Sequence, residues 1–178
     1  MEELEDPTER LKETMEAAEE KKERWTLHVA LSTAIIAVLA AIAGMLGNHH
    51  ANEAMLEQIS SSDKWAFYQA KSIKAEVAAS TVQILAALGK PVPADNAGKM
   101  EQYKADKEKI KEEAEEAEKS SAAHMRMHVV FSRAVTIFQI AIAISAIAIL
   151  TRKKAMWYAS MLLTILGCIF LVMGFLTH

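Results

Sequence analysis

Polar and apolar residues are segregated along this chain into blocks. Three apolar runs, Thr26–Leu46, Val129–Leu150 and Ala155–Leu176, alternate with strongly charged stretches. Each run has about the number of residues that a helix needs to cross the ~30 Å hydrocarbon core of a bilayer. The pattern predicts an all-α membrane protein with three transmembrane helices and a long extramembrane helical hairpin between the first and second. The predicted divisions are an acidic amphipathic arm at 1–25, spans at 26–47, 129–150 and 155–176, a hairpin over 48–128, a short basic link at 151–154 and a tail at 177–178.

Glycine and proline set the punctuation. Neither occurs between Asn48 and Leu88 or between Lys99 and Leu166, whereas Gly89, Pro91, Pro93, Asp95, Asn96 and Gly98 cluster in ten residues. Such a cluster is a turn signal, and it places the hairpin tip at 89–98. On the first arm, Ala66, Ala70, Ile73, Val77, Thr81, Ile84 and Leu88 recur at steps of three and four and trace one helical face. On the second, Met100, Tyr103, Lys107, Ile110, Ala114, Ala117 and Ser121 form a heptad-like but weak seam. The run Ser60-Ser61-Ser62-Asp63 reads either as the start of a new helix, because short polar side chains cap exposed amides, or as part of one continuous helix from the first span to Leu88.

Composition sharpens this picture only in part. The chain has 178 residues, 52% of them hydrophobic and 24% charged, with a net charge of −3. That balance gives no ground for a nucleic-acid partner. The single cysteine, Cys168, falls in the third run and reads as a packing residue. The first 25 residues carry five Lys or Arg against ten acids and no short apolar stretch with a small-residue cleavage site. The first run is therefore expected to be an uncleaved anchor.

Basic residues near the span ends set the expected orientation. The amino-terminal flank and the Arg152-Lys153-Lys154 link together hold eight, against four (Lys64, Lys119, Arg126, Arg133) on the other side. This places the amino terminus in the cytoplasm of a bacterial inner membrane. The hairpin over 48–128 and the carboxyl terminus are then extracytoplasmic. Trp25 and Trp157-Tyr158 fall at span ends, where aromatic rings prefer the headgroup region.

Within lipid, helices associate through shape and polar contacts. Two small-residue faces are the expected packing surfaces: Ala34, Ala37, Ala41 and Gly44 on the first span (with Ala30 leading in), and Ser160, Thr164, Gly167 and Gly174 on the third. Ser132, Thr136 and Gln139 share a face of the second span. Gln139, near mid-span, needs a partner; the face serves either as helix glue or as the lining of a polar pore made by several copies. His49, His50, His124 and His128 fall on one side of the membrane in this topology. The i, i+4 spacing of His124 and His128 suits zinc or copper, although imidazoles at a membrane interface or in helix packing satisfy the same pattern. No cofactor is called for by any other motif.

The segment 61–74 is the most distinctive. Trp65, Phe67 and Tyr68 lie within four positions, and Trp65, Tyr68, Gln69 and Ser72 share one side of a helix, with Lys64, Lys71 and Lys74 nearby. Trp65, Tyr68, Gln69, Lys71 and Lys74 are the expected oligomer or partner contacts. The run Trp-x-x-Tyr-Gln-Ala-Lys-Ser-Ile-Lys at 65–74 resembles the bacterial membrane proteins grouped as domain of unknown function 4337. So do Gly47-Asn48 with Ala51-Asn52-Glu53-Ala54, and the layout of one span, a long polar helical middle and two further spans. The resemblance covers roughly 26–176 and brings no activity, cofactor or catalytic residue.

No Ser-His-Asp set, phosphate-cradling glycine loop or paired-carboxylate cleft is evident, so an enzyme is not expected. The leading expectation is a homo-oligomeric scaffold or partner-binding assembly in contact with membrane lipids and an extracytoplasmic protein. The alternatives are a channel or transport accessory built on the second span, and a metal-binding protein built on the histidines.

Overall fold

A computed structural model describes residues 7–92 and 94–176; the side chains of 7–11, 13, 17, 94–97 and 101 are outside the description. The described chain is all-α, with three helices: α1 (Pro7–Ala87), α2 (Ala94–Thr151) and α3 (Lys154–Leu176). All three contain stretches long and apolar enough to cross a membrane. Pro7 is compatible with a first helical turn, where its missing amide costs nothing. The apolar stripe expected on the amino-terminal arm involves Leu4 and Leu11, which lie outside the described residues and side chains.

α1 ends in a Schellman motif. The Lys90 amide donates to the Leu85 carbonyl (2.9 Å) and the Gly89 amide to the Ala86 carbonyl (3.1 Å), with Gly89 at φ +66°. Glycine adopts that left-handed conformation without a Cβ penalty. The turn is shorter than the sequence suggested: α2 already begins at Ala94, so Asp95, Asn96 and Gly98 are helical. A proline followed by small and acidic residues is also how helices begin, and here that signal prevails over the turn signal. Of the two readings of Ser60–Asp63, the structure has the continuous helix and not the break. Those residues continue α1, because Ser61 finds its partner across the helix pair rather than at a helix start.

The chain divides into two compact units, at Gly47/Asn48 and at His128/Val129. Unit 1 holds the beginning of α1, the end of α2 and all of α3. Its core cluster is Ile36, Ala43, Ala134, Phe138 and Ala141, with Leu39, Val135, Cys168 and Leu171 among the half-buried residues packed on it. α2 and α3 meet by shape. A Cβ built on Gly167 would lie 2.6 Å from the Phe138 ring, and one on Gly174 would lie 2.5 Å from the Phe131 ring. The two phenylalanines, one helical heptad apart, therefore seat in two glycine notches. Phe131 is closed further by an edge-on contact with Phe175. Ser145 and Ser160 share a buried hydrogen bond of 2.7 Å between the same helices. The link is only Arg152 and Lys153, and Arg152 turns the corner at φ +56°.

Unit 2 (Asn48–His128) is an antiparallel pair formed by the second half of α1 and the first half of α2. Its buried residues are small: Ala54, Ser61, Ala114, Ala117 and Ser121, with Ile110 and Met127 at larger positions. Small residues bring the backbones close enough for each serine to reach across. Ser61 donates to the Ala114 carbonyl (3.2 Å) and Ser121 to the Ala54 carbonyl (2.7 Å).

Candidate functional site

In unit 2, the face of α1 turned to its partner helix is not the aliphatic one. Ala66, Ala70, Ile73, Val77, Thr81, Ile84 and Leu88 are all exposed, with Ile73, Val77, Ile84 and Leu88 each at 60–64% of full exposure. The apolar face traced on the first arm is therefore not the hairpin seam: the seam runs along Ser61, Trp65, Tyr68, Ser72, Ala75 and Val82, which are buried or half-buried. At 100° per residue the two faces lie roughly opposite each other on α1. The physical reason is the character of the facing helix. Around Tyr103, Asp106 and Lys107, an aliphatic face would desolvate polar groups without partners. The aromatic and basic face supplies those partners.

The contacts show how. Lys71 Nζ pairs with Asp106 Oδ2 at 2.6 Å and lies over both the Phe67 ring (5.5 Å) and the Tyr103 ring (5.4 Å). In the opposite direction, Lys107 Nζ lies 5.0 Å over the Tyr68 ring. Trp65 meets Tyr68 edge-on at 5.5 Å, and Lys64 donates to the Glu113 carbonyl at 3.3 Å. Cation–π contacts of this kind are worth about 0.5–1 kcal/mol at exposed sites and more where desolvated.

The five residues singled out in this segment therefore divide. Trp65, Tyr68 and Lys71 are engaged within the helix pair, while Gln69 and Lys74 face outward. The expected seam on α2 coincides with burial, since Met100, Tyr103, Lys107, Ile110, Ala114, Ala117 and Ser121 are all buried or half-buried. Among the described residues, the acid run 112–118 makes only loose i, i+4 pairs with its own lysines, such as Lys111–Glu115 at 3.9 Å. That is the behaviour of a solvated helix face.

At the other end of unit 2, His50 and His124 come together. Their Nδ1 atoms are 3.1 Å apart and their rings are stacked with centroids at 5.3 Å; His49 follows at 5.4 Å from His50. At that distance one Nδ1 carries a proton and the other accepts it. No group of three His, Cys, Asp or Glu placed to hold a metal occurs among the described residues. His178 lies outside them.

In unit 1 the expected packing faces also divide. On α3, Ser160, Gly167 and Gly174 are buried and Thr164 is half-buried, its hydroxyl bonded to the Ser160 carbonyl. On α1, Gly44 is half-buried, with Val135 3.9 Å from the position of a Cβ, but Ala34, Ala37 and Ala41 are exposed. The inward face of that helix is instead Val29, Ile36 and Ala43. Ser132 is half-buried, while Thr136 and Gln139 are exposed; the Thr136 hydroxyl back-bonds to the Ser132 carbonyl.

Two tryptophans of unit 1 contrast. The Trp157 indole donates to Ser32 Oγ at 3.1 Å. The Trp25 indole N–H is buried and has no acceptor among the described residues. Trp25 sits in a cleft also lined by Lys21, Lys22, Arg152 and Lys154. The sequence signal for this cleft was legible only as two separate basic flanks; the fold of unit 1 joins them.

The family model for a domain of unknown function, DUF4337, matches residues 25–177. The chain belongs to the DUF4337 family. Neither the curated proteins nor the solved structures yield a match to it. The DUF4337 description names no chemistry, and what the chain offers a ligand or partner lies in its own surfaces.

Proposed function

We propose that this DUF4337 protein is a multi-pass membrane protein that works as a homo-oligomeric scaffold. Residues 26–47, 129–150 and 155–176 span the bilayer, the amino terminus is cytoplasmic, and 48–128 presents a helical surface outside. The single observation that carries the oligomer is the exposed aliphatic stripe from Ala66 to Leu88 on α1. A regular row of Ile, Val and Leu on a water-facing helix is an interaction surface awaiting cover. Its period of three and four matches a second helix of the same kind. In unit 1, the exposed Ala34, Ala37 and Ala41 face offers a close-approach surface suited to a neighbouring span. Gln69 and Lys74 border the outward face of α1 and supply polar contacts to a copy or to an extracytoplasmic protein.

The test is the mass of the protein in lipid nanodiscs or mild detergent, by light scattering or native mass spectrometry. A defined multimer is expected; a monomer at micromolar concentration overturns the reading. A pore lined by Thr136 and Gln139 is the second reading, favoured by the exposure of both side chains in a single chain. Unchanged ion flux through a conducting preparation after Gln139→Leu removes it.

A further inference from the structure

We propose that the cleft of unit 1 formed by Lys21, Lys22, Trp25, Arg152 and Lys154 is a binding site for the phosphate headgroup of an anionic phospholipid. The proposal rests on the reading of the three apolar runs as spans. Four observations converge on it.

The first is charge. Four cations line the cleft and no acid does. None of the four is ion-paired among the described residues, although the arm carries many carboxylates. Helical geometry explains the sorting. Ala18, Lys21, Lys22, Trp25 and Thr26 follow i, i+3, i+4, i+7, i+8 and share one face of α1. Glu19, Glu20 and Glu23 fall off that face at 100° per residue. The arm is acidic in total, yet the face presented to the cleft is basic.

The second is the Trp25 indole. Its N–H is buried without an acceptor among the described residues, an unfavourable state unless something accepts the bond. A phosphate oxygen in the same cleft is such an acceptor. The equivalent donor on Trp157 is satisfied internally by Ser32, so the difference is specific to this cleft.

The third is the corner between α2 and α3. Lys154 is the first residue of α3, whose first turn holds no acid. The amino-terminal end of a helix favours anions through its free amides and dipole.

The fourth separates a lipid from free phosphate. A shallow, mostly apolar groove lined by Lys22, Glu23, Thr26, Leu27 and Ala30 shares Lys22 and Thr26 with the basic cleft, and its one acid, Glu23, lies outside the cleft. It runs from the cleft into the first apolar run. A ligand with a phosphate at one end and an acyl chain at the other fits both parts. Basic pockets between membrane helices are known to hold such headgroups.

The experiment is native mass spectrometry of the full chain released from nanodiscs that mix phosphatidylcholine with phosphatidylglycerol. Retention of phosphatidylglycerol on the order of tenfold over phosphatidylcholine is expected. Trp25→Phe, which keeps the ring and removes the N–H, should lower that preference several-fold. Arg152→Gln with Lys154→Gln should bring it near parity, with helicity checked by circular dichroism. Millimolar inorganic phosphate should not displace the lipid. Equal retention of the two lipids, or displacement by inorganic phosphate, overturns the proposal while leaving the spans intact. A chain that cannot be placed in phosphatidylcholine discs at all, and stays in water as a soluble species, overturns both the spans and the site.

Discussion

The two units of this chain hold helices together by different means, and the contrast fits the proposal that unit 1 lies in lipid and unit 2 in water. In unit 1 the contacts are mostly shape-driven: two phenylalanines seated over two glycines, with a buried serine pair and the Trp157–Ser32 bond as the polar links. In unit 2 the contacts are chemical. An ion pair, three cation–π contacts and serine–backbone bonds join helices whose buried side chains are mostly alanine and serine. Where every surface is apolar, burial alone does not select a partner, so fit must. Where water competes, the most aliphatic stripe would be expected to turn inward. It does not in unit 2, where that stripe stays exposed among the described residues.

The largest effect should come from filling a notch. Gly167→Ala places a Cβ 2.6 Å from the Phe138 ring, and the ring cannot yield easily, being itself fully buried. A loss of about 1–3 kcal/mol is expected, read as a lower Tm in detergent. Phe138→Leu in the same chain should recover part of it. If Gly167→Ala is neutral, α2 and α3 do not meet through this notch.

The next test addresses unit 2. Ile73→Glu with Val77→Glu changes two residues that touch water in a single chain. Helicity should be unchanged while the assembly dissociates to smaller species by light scattering. The opposite pattern, lost helicity with mass retained, would mean that the stripe packs within the chain after all.

How much of this was legible beforehand differs between the units for the same reason. The three apolar runs and the glycine-marked end of α1 were readable, because length and a left-handed glycine are local signals. The buried row on α2 from Met100 to Ser121 was readable too, since that helix has only one face that is not strongly charged. On α1 two faces compete. Periodicity identifies both the aliphatic row through Ile73 and the aromatic row through Trp65 and Tyr68, and it cannot say which one meets Asp106 and Lys107. That choice depends on pairing a polar group with a polar group across the turn, a non-local fact. The basic cleft was hidden similarly, since Lys21 and Arg152 are far apart in sequence. The seating of Phe131 and Phe138 over Gly174 and Gly167 was visible as small residues on one helix, but not as a match to particular rings on another.

A smaller effect is expected at the ion pair. Lys71 is more enclosed than Asp106, with side-chain exposures of 19% and 36%. Asp106→Asn leaves the more buried ammonium with two aromatic faces but no counter-charge. About 1 kcal/mol is expected, discounted from a fully buried pair because both groups still see water. A double-mutant cycle with Lys71→Met isolates the coupling. A coupling indistinguishable from zero would mean that the aromatic rings alone position Lys71. The histidine pair allows a parallel check. Zinc or copper added to protein without an affinity tag should bind no more tightly to the wild type than to His124→Ala if the 3.1 Å contact is only a hydrogen bond. A clear difference would support the metal reading.

The smallest effect separates the two environments most finely. Ser145→Ala in unit 1 and Ser121→Ala in unit 2 each remove a buried hydroxyl that bonds at 2.7 Å. After Ser145→Ala, the Ser160 hydroxyl loses a side-chain partner, but it can turn back to a carbonyl of its own helix, as Thr164 already does. Such rescue is one reason that side-chain hydrogen bonds between membrane helices average only about 0.6 kcal/mol. After Ser121→Ala, no donor remains to seek a new acceptor, and the Ala54 carbonyl keeps its place in the α1 ladder. The loss there is the bond itself, about 1 kcal/mol net. Both values should therefore be small, with unit 2 the larger. If Ser145→Ala costs several times more than Ser121→Ala, then unit 1 is held by polar contact as much as by shape, and the contrast between the two units would have to be redrawn.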